Sequence, residues 1–185
     1  ERVNFVENKV SELIKLYESF TKNSRSKLII FNFQIPHYSS YGIVETKQEF
    51  GLREMIKNIN LKIEEFSRGR NDVYDYDFNN FITYYGLHNV FNFREFFFGD
   101  VRISIRYLPH LAHELMSYVK SILGVNKKCI VLDLDNTIWG GVVGEDGYEG
   151  IKIGNNPVGR AFTELQKILL SLYKRGIILA INSRN

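Results

Sequence analysis

The chain has 185 residues, 44% of them apolar, and a formal charge of +3, enough for one domain or two small ones of ordinary globular composition. Charge is spread evenly, 16 basic against 15 acidic residues over 1–124 and 8 against 6 over 125–185, which argues against a nucleic-acid-binding half. With no apolar run near the ~20 residues a bilayer requires, no signal-peptide core and one cysteine, Cys129, the expectation is a cytoplasmic protein with neither membrane nor nucleic acid as partner.

Residues 5–20 place Phe5, Val6, Val10, Leu13, Ile14, Tyr17 and Phe20 at helical spacing. Lys27 to Phe33 reads as a strand, and residues 34–45, with Pro36 and Gly42, as a loop. A helix is expected over 46–66, with Phe50, Met55, Ile59 and Ile63 on its inner side, then a turn over 67–71 and a short strand over 72–77. Residues 78–85 predict a helix ended by Gly86, and 87–107 read as irregular and rich in aromatics. Pro109 suits the first turn of a helix running to Leu123 and stopped by Gly124. A buried parallel strand follows around Ile130 to Leu132, then a helix over 157–175 capped by Gly176 and a strand over 177–181. This alternation predicts an α/β fold with parallel sheets, with a domain boundary near 125–128.

The strand at 130–132 delivers Asp133 and Asp135 where it must end. Acids at i and i+2 on a strand end point toward one site, and the carboxyl ends of strands are where open α/β sheets bind ligands. Asn136 and Thr137 follow, and Gly140-Gly141 interrupt regular structure. The residue types predict a catalytic or metal-binding carboxylate pair.

The string from Leu132 to Gly150, LDLDNTIWGGVVGEDGYEG, resembles the nucleophile motif of the haloacid dehalogenase (HAD) superfamily, and within it the FkbH-like branch. That resemblance covers residues 128–185. Residues 24–126 resemble, more weakly, the domain that precedes the phosphatase domain in the same proteins, related to SGNH-type hydrolases. It implies a partial SGNH-like α/β domain over 1–126 and, over 127–185, the start of a Rossmann-like HAD domain. The chain begins at Glu1 and stops just after an apolar strand, so it reads as a fragment whose HAD domain is truncated.

The resemblance implies a Mg²⁺-dependent phosphatase or phosphotransferase acting on a small phosphorylated metabolite. Asp133 is expected as the nucleophile that forms an aspartyl-phosphate, and Asp135 as the general acid/base. Both are expected to hold Mg²⁺, Asp135 through its backbone carbonyl, and the ion offsets repulsion between carboxylate and phosphate. Thr137, Gly140, Gly141, Asn182 and Ser183 are expected to shape the substrate site, Ser183 by hydrogen bonding the transferred phosphoryl. The superfamily also uses a lysine and a further acidic pair on later strands, so this chain alone is expected to bind metal weakly.

Two alternatives stand beside that reading. FkbH-like proteins are associated with glyceryl transfer from 1,3-bisphosphoglycerate to an acyl carrier protein. Many of them carry a cysteine directly before the serine of the second motif, where this chain has Asn182. The other alternative is a non-catalytic scaffold. Residues 140–150 are expected to form a flap over the site, whose simplest form is a hairpin turned at Asp146-Gly147, with Trp139 as flap packing ahead of the alternative, a wall for the substrate. Cys129 is expected to be a small buried residue, and His110 and His113, at i and i+3, part of a helix surface rather than a metal pair.

Overall fold

In the computed structural model, which describes residues 1–184, a parallel strand pair underlies each of two units, Glu1–His113 and the part from Glu114 onward. The α/β class is as expected from the alternation of periods.

In the first unit, α1 (Arg2–Asn23) is followed by β1 (Leu28–Phe31), α2 (Leu52–Arg68) and β2 (Val73–Tyr76). Strands joined through a helix can pair parallel, and they do: Leu28 lies opposite Val73 and Phe31 opposite Tyr76. Val6 and Val10 of α1, Ile59 and Ile63 of α2, and Ile30 and Val73 of the strands form the core. Each such side chain contributes about 1.5–3 kcal/mol by leaving water. Tyr76, Phe78 and Phe81 are buried in an aromatic group in which Phe31 meets Tyr76 at 4.8 Å and Phe78 at 5.9 Å between ring centroids.

α2 starts later than its apolar spacing suggested. Gly42–Lys47 forms a 3-10 turn, Phe50 takes a left-handed conformation, and Gly51 precedes the helix. The local reason is Glu45, which is buried and whose Oε1 accepts the Arg53 N–H at 2.9 Å, satisfying one of the open donors at the start of α2.

α3 (Phe78–Tyr85) ends at Gly86, whose φ is +87°, as its sequence predicted. The stretch expected to be irregular holds two short helices, α4 (Leu87–Val90) and α5 (Phe93–Gly99), the latter capped by the Asn92 side chain on the N–H groups of Arg94 and Glu95. The aromatic stretch divides between burial and solvent, since Phe93, Phe97 and Phe98 are exposed. α6 (Leu108–Ile122) follows, and the division into units falls within it.

The second unit contains β3 (Cys129–Leu132), α7 (Val143–Gly150), α8 (Pro157–Lys174) and β4 (Ile178–Ile181). β3 and β4 pair parallel, Cys129 opposite Ile178 and Leu132 opposite Ile181. α8 opens on Asn156, which caps Gly159 N–H, with Pro157 in its first turn. Gly159 is required there: a Cβ would meet the Ile153 backbone at 2.6 Å. The strand read as buried is only partly so, with Val131 61% and Ile178 61% exposed. Cys129 is exposed as well, contrary to expectation. These three residues share one strand face, whereas on the other Ile130, Leu132 and Leu179 are half-buried and Ile181 is exposed. Among the described residues, no helix is long and apolar enough to cross a membrane.

Candidate functional site

β3 and β4 run side by side and release their chains at the same edge. The ladder extends one step past the strands, Asn182 N–H donating to the Leu132 carbonyl at 2.8 Å. Asn182 therefore stands level with Asp133 on a neighbouring strand, ~4.8 Å away in the hydrogen-bonding direction, and Ser183 is next in the chain. Asp133 is exposed, and its Oδ1 accepts the N–H of Leu134 at 2.8 Å. The other carboxylate oxygen has no partner among the described residues. Asp133, Asn182 and Ser183, some fifty positions apart in sequence, are thus brought to one strand edge.

Asp135 has a different environment. It is half-buried, and its Oδ1 accepts the Trp139 indole N–H at 3.0 Å and the Val143 backbone N–H at 3.2 Å. The turn between these residues is closed by Thr137 and Ile138 N–H groups donating to the Leu134 carbonyl, at 3.1 and 2.8 Å. Asn136 locks it: at φ +55° it occupies the left-handed region that Asn tolerates better than most residues. Its side-chain oxygen accepts Gly141 N–H at 2.9 Å, and its own N–H donates to the Gly141 carbonyl at 3.2 Å. Thr137 contributes its backbone to the turn. Asn136 and Trp139, not chosen from the sequence as functional, are the side chains that hold it. The signal for Asn136 was its place between an aspartate and a glycine pair.

Gly140 and Gly141 are needed for close approach. Gly140 is buried, and a Cβ on it would lie 2.8 Å from the Phe162 ring; Gly141 has φ +99°, and its Cβ would meet Asp146 Oδ2 at 2.8 Å. Residues 140–152 form a loop closed at its base by reciprocal bonds, Gly140 N–H to Lys152 O at 3.0 Å and Lys152 N–H to Gly140 O at 2.7 Å. No hairpin turns at Asp146-Gly147. The loop instead contains α7, broken at Gly147 (φ +64°), because Asp146 Oδ2 accepts Val142 N–H at 2.8 Å while Asp146 N–H donates back to Val142 O at 2.8 Å. Gln166 of α8 ties the turn down from below, its amide donating to the Ile138 carbonyl at 2.8 Å.

Magnesium takes octahedral oxygen donors, usually one or two carboxylates supplemented by water and substrate phosphate. The open oxygen of Asp133 beside Asp135 fits such a partial donor set. Among the described residues, no group of three or more His, Cys, Asp or Glu side chains is gathered as a complete metal site. His110 is exposed on α6, with ring centroids 5.0 Å from Tyr85 and 5.7 Å from Tyr107, in keeping with the helix-surface expectation.

Residues 1–120 match the family model described as the FkbH N-terminal domain. A solved structure, the N-terminal part of the protein BF1531 from Bacteroides fragilis containing a phosphatase domain complexed with Mg, superposes with a TM-score of 0.85 at 27% identity. The match covers 98% of this chain and 49% of that one, so the chain spans about half the length of the relative. None of the curated proteins matches. Neither match speaks of an SGNH-type hydrolase.

Proposed function

The chain belongs to the FkbH N-terminal domain family, and from that premise we propose that it is part of a Mg²⁺-dependent phosphatase or phosphotransferase of the HAD type. In this reading residues 1–126 are its N-terminal domain and 127–185 the beginning of its phosphatase domain, and the substrate is a small phosphorylated metabolite. The observation that carries it is the strand edge where Asp133, Asn182 and Ser183 emerge together, with Asp135 held in a separate, half-buried setting. The Mg-complexed phosphatase domain of the Bacteroides relative supports it.

Asp133 acts as nucleophile. Its exposed carboxylate attacks phosphorus and forms an aspartyl-phosphate as the leaving oxygen departs. Asp135 gives that oxygen a proton and later takes one from the attacking water. The Trp139 and Val143 N–H groups fix the position from which it does so. Ser183 and the Asn182 amide bind phosphoryl oxygens, while Gly140, Gly141 and Thr137 shape the turn beside them, Gly140 packed on Phe162 and Gly141 on Asp146. Mg²⁺ would be held by the Asp133 carboxylate and the Asp135 backbone carbonyl, and would offset the charge repulsion between carboxylate and phosphate.

Thiol chemistry at the strand edge is not favoured. The cysteine of this chain begins β3, four residues before Asp133 and so roughly 13 Å from the strand end. Phosphate release by the full-length protein with Mg²⁺, over phosphorylated sugars, acids and bisphosphoglycerate, tests the proposal. Release lost in Asp133→Asn is expected. Equal release by both proteins would sink it.

A further inference from the structure

The first unit contains a cavity that the phosphatase reading does not use. It measures about 290 Å³ and lies between the loop leaving the carboxyl end of β1 and the segment after α3. Pro36, Tyr38, Leu87, Phe91 and Phe96 give it apolar walls. A second hollow shares Gln34, His37 and Leu87 with it and continues along α3. The carboxyl ends of strands are where open α/β sheets take ligands.

Both walls are fixed in place. On one side, Asn60 bonds Phe33 through both its N–H and its carbonyl, at 2.8 and 2.7 Å. Asn79 holds the Ile35 N–H at 2.9 Å, and the Arg53 guanidinium donates to the His37 carbonyl. On the other side, Val90 is fully buried, and its carbonyl accepts the N–H of Ser104 at 2.8 Å. Glu95 of α5 takes Ser104 Oγ–H at 3.3 Å and Ile105 N–H at 3.0 Å. Bracing of this kind satisfies backbone groups that would otherwise be left open, and it also leaves the pocket walls ordered before a ligand arrives.

The polar groups that line the cavity have bonding capacity to spare. The side chains of Gln34, His37 and His88 make no protein hydrogen bond among the described residues; Gln34 is half-buried and the two histidines are exposed, so a ligand would take over N–H donors that otherwise meet water. Arg102 stands at the rim with its guanidinium 5.3 Å from the centre of the Phe96 ring. Its ion pair with Asp100 is long, 3.5 Å, and both side chains are mostly exposed, so a ligand anion competes easily for it. Apolar walls, several N–H donors and one planar cation describe a site for a carboxylate on an apolar body.

We infer that this cavity is a binding site for a small apolar carboxylic acid, aromatic or branched, whose carboxylate meets Arg102 and whose body lies against Tyr38, Leu87 and Phe91. The inference is independent of the phosphatase reading.

Saturation-transfer NMR on the whole chain, titrated with 3-phenylpropionate, its amide and phenyl phosphate, tests it. The acid is expected to bind with Kd on the order of 1 mM, ordinary for a ligand of that size, and the amide at least tenfold more weakly. Arg102→Gln, at an exposed position, should lower acid affinity about threefold and leave the amide unchanged. Leu87→Trp, which fills the cavity, should abolish both. Equal binding of acid and amide, tighter binding of phenyl phosphate than of the acid, no acid binding, or an acid affinity untouched by Arg102→Gln would each overturn the inference.

Discussion

At the scale of single residues, Asp75 sits in the middle of β2 with a buried Oδ1 that no donor reaches. Burial first, then the nearby charges of Asp77 and Glu64, push its carboxyl above the usual range. A raised folded-state value means the fold prefers the neutral form. The stability it provides is complete below the unfolded pKa of about 3.9 and is lost as pH rises through the folded value. Asp75→Asn should therefore be more stable than the parent at neutral pH. Thermal melts from about pH 3 to 7 should bring the two proteins together only in acid; parallel curves would show that Asp75 carries no such burden. Trp139 is the second residue to test. Its indole N–H is one of two donors on Asp135 Oδ1, and hydrogen bonds to charged groups are worth about 1.5–3 kcal/mol. Trp139→Phe in the full-length protein should lower kcat for phosphate release about tenfold with KM little changed. An unchanged kcat and pH profile would show that Asp135 needs no help from the indole.

At the scale of elements, what could be read from the chain was what has a period or a stop. The helices at 2–23, 52–68, 108–122 and 157–174 span enough turns to show a repeating apolar face, and Gly86, Gly124 and Gly176 mark ends through positive φ. α4 and α5, of four and seven residues, are too short for a period to appear; a side-chain cap and tertiary bonds from Glu95 hold α5 instead. The loop over 140–152 was readable as a loop from its glycines, but its interior was not. Asp146-Gly147 is ordinary hairpin chemistry, and it was overridden by the Asp146 carboxylate turning back to Val142. That same bond neighbours the Val143 N–H that supports Asp135. Asp146→Ala should remove a cap-like interaction worth about 1 kcal/mol. Hydrogen exchange at Val142 and Val143 should accelerate while protection in β3 stays the same. Unaltered exchange at both amides would mean the base of the loop, Gly140 with Lys152, holds it unaided.

At the scale of the whole molecule, the two strand pairs stand in different conditions. β1 and β2 contribute Ile30, Val73 and Tyr76 to the buried set, whereas no residue of β3 or β4 is buried. Parallel sheets are normally covered on both faces, and an uncovered apolar strand pair is open to unwanted association. This difference could not be read from sequence, because CIVL and ILAI are as apolar as any buried strand; burial depends on what lies over them. The relative from Bacteroides fragilis is about twice as long as this chain, which offers one source of cover. A chain of that length should protect the β3 and β4 amides from exchange far more than the 185-residue chain does, while amides of α2 and β2 exchange alike in both. It should also bind Mg²⁺ more tightly, since among the described residues no third acidic group joins Asp133 and Asp135, which leaves most of an octahedral shell to water. The two measurements separate the causes. Gain of protection without gain of metal affinity would mean the added chain covers the sheet but supplies no ligand. Equal protection and equal affinity in both chains would mean that β3, β4 and the strand edge with Asp133 are already complete as they stand.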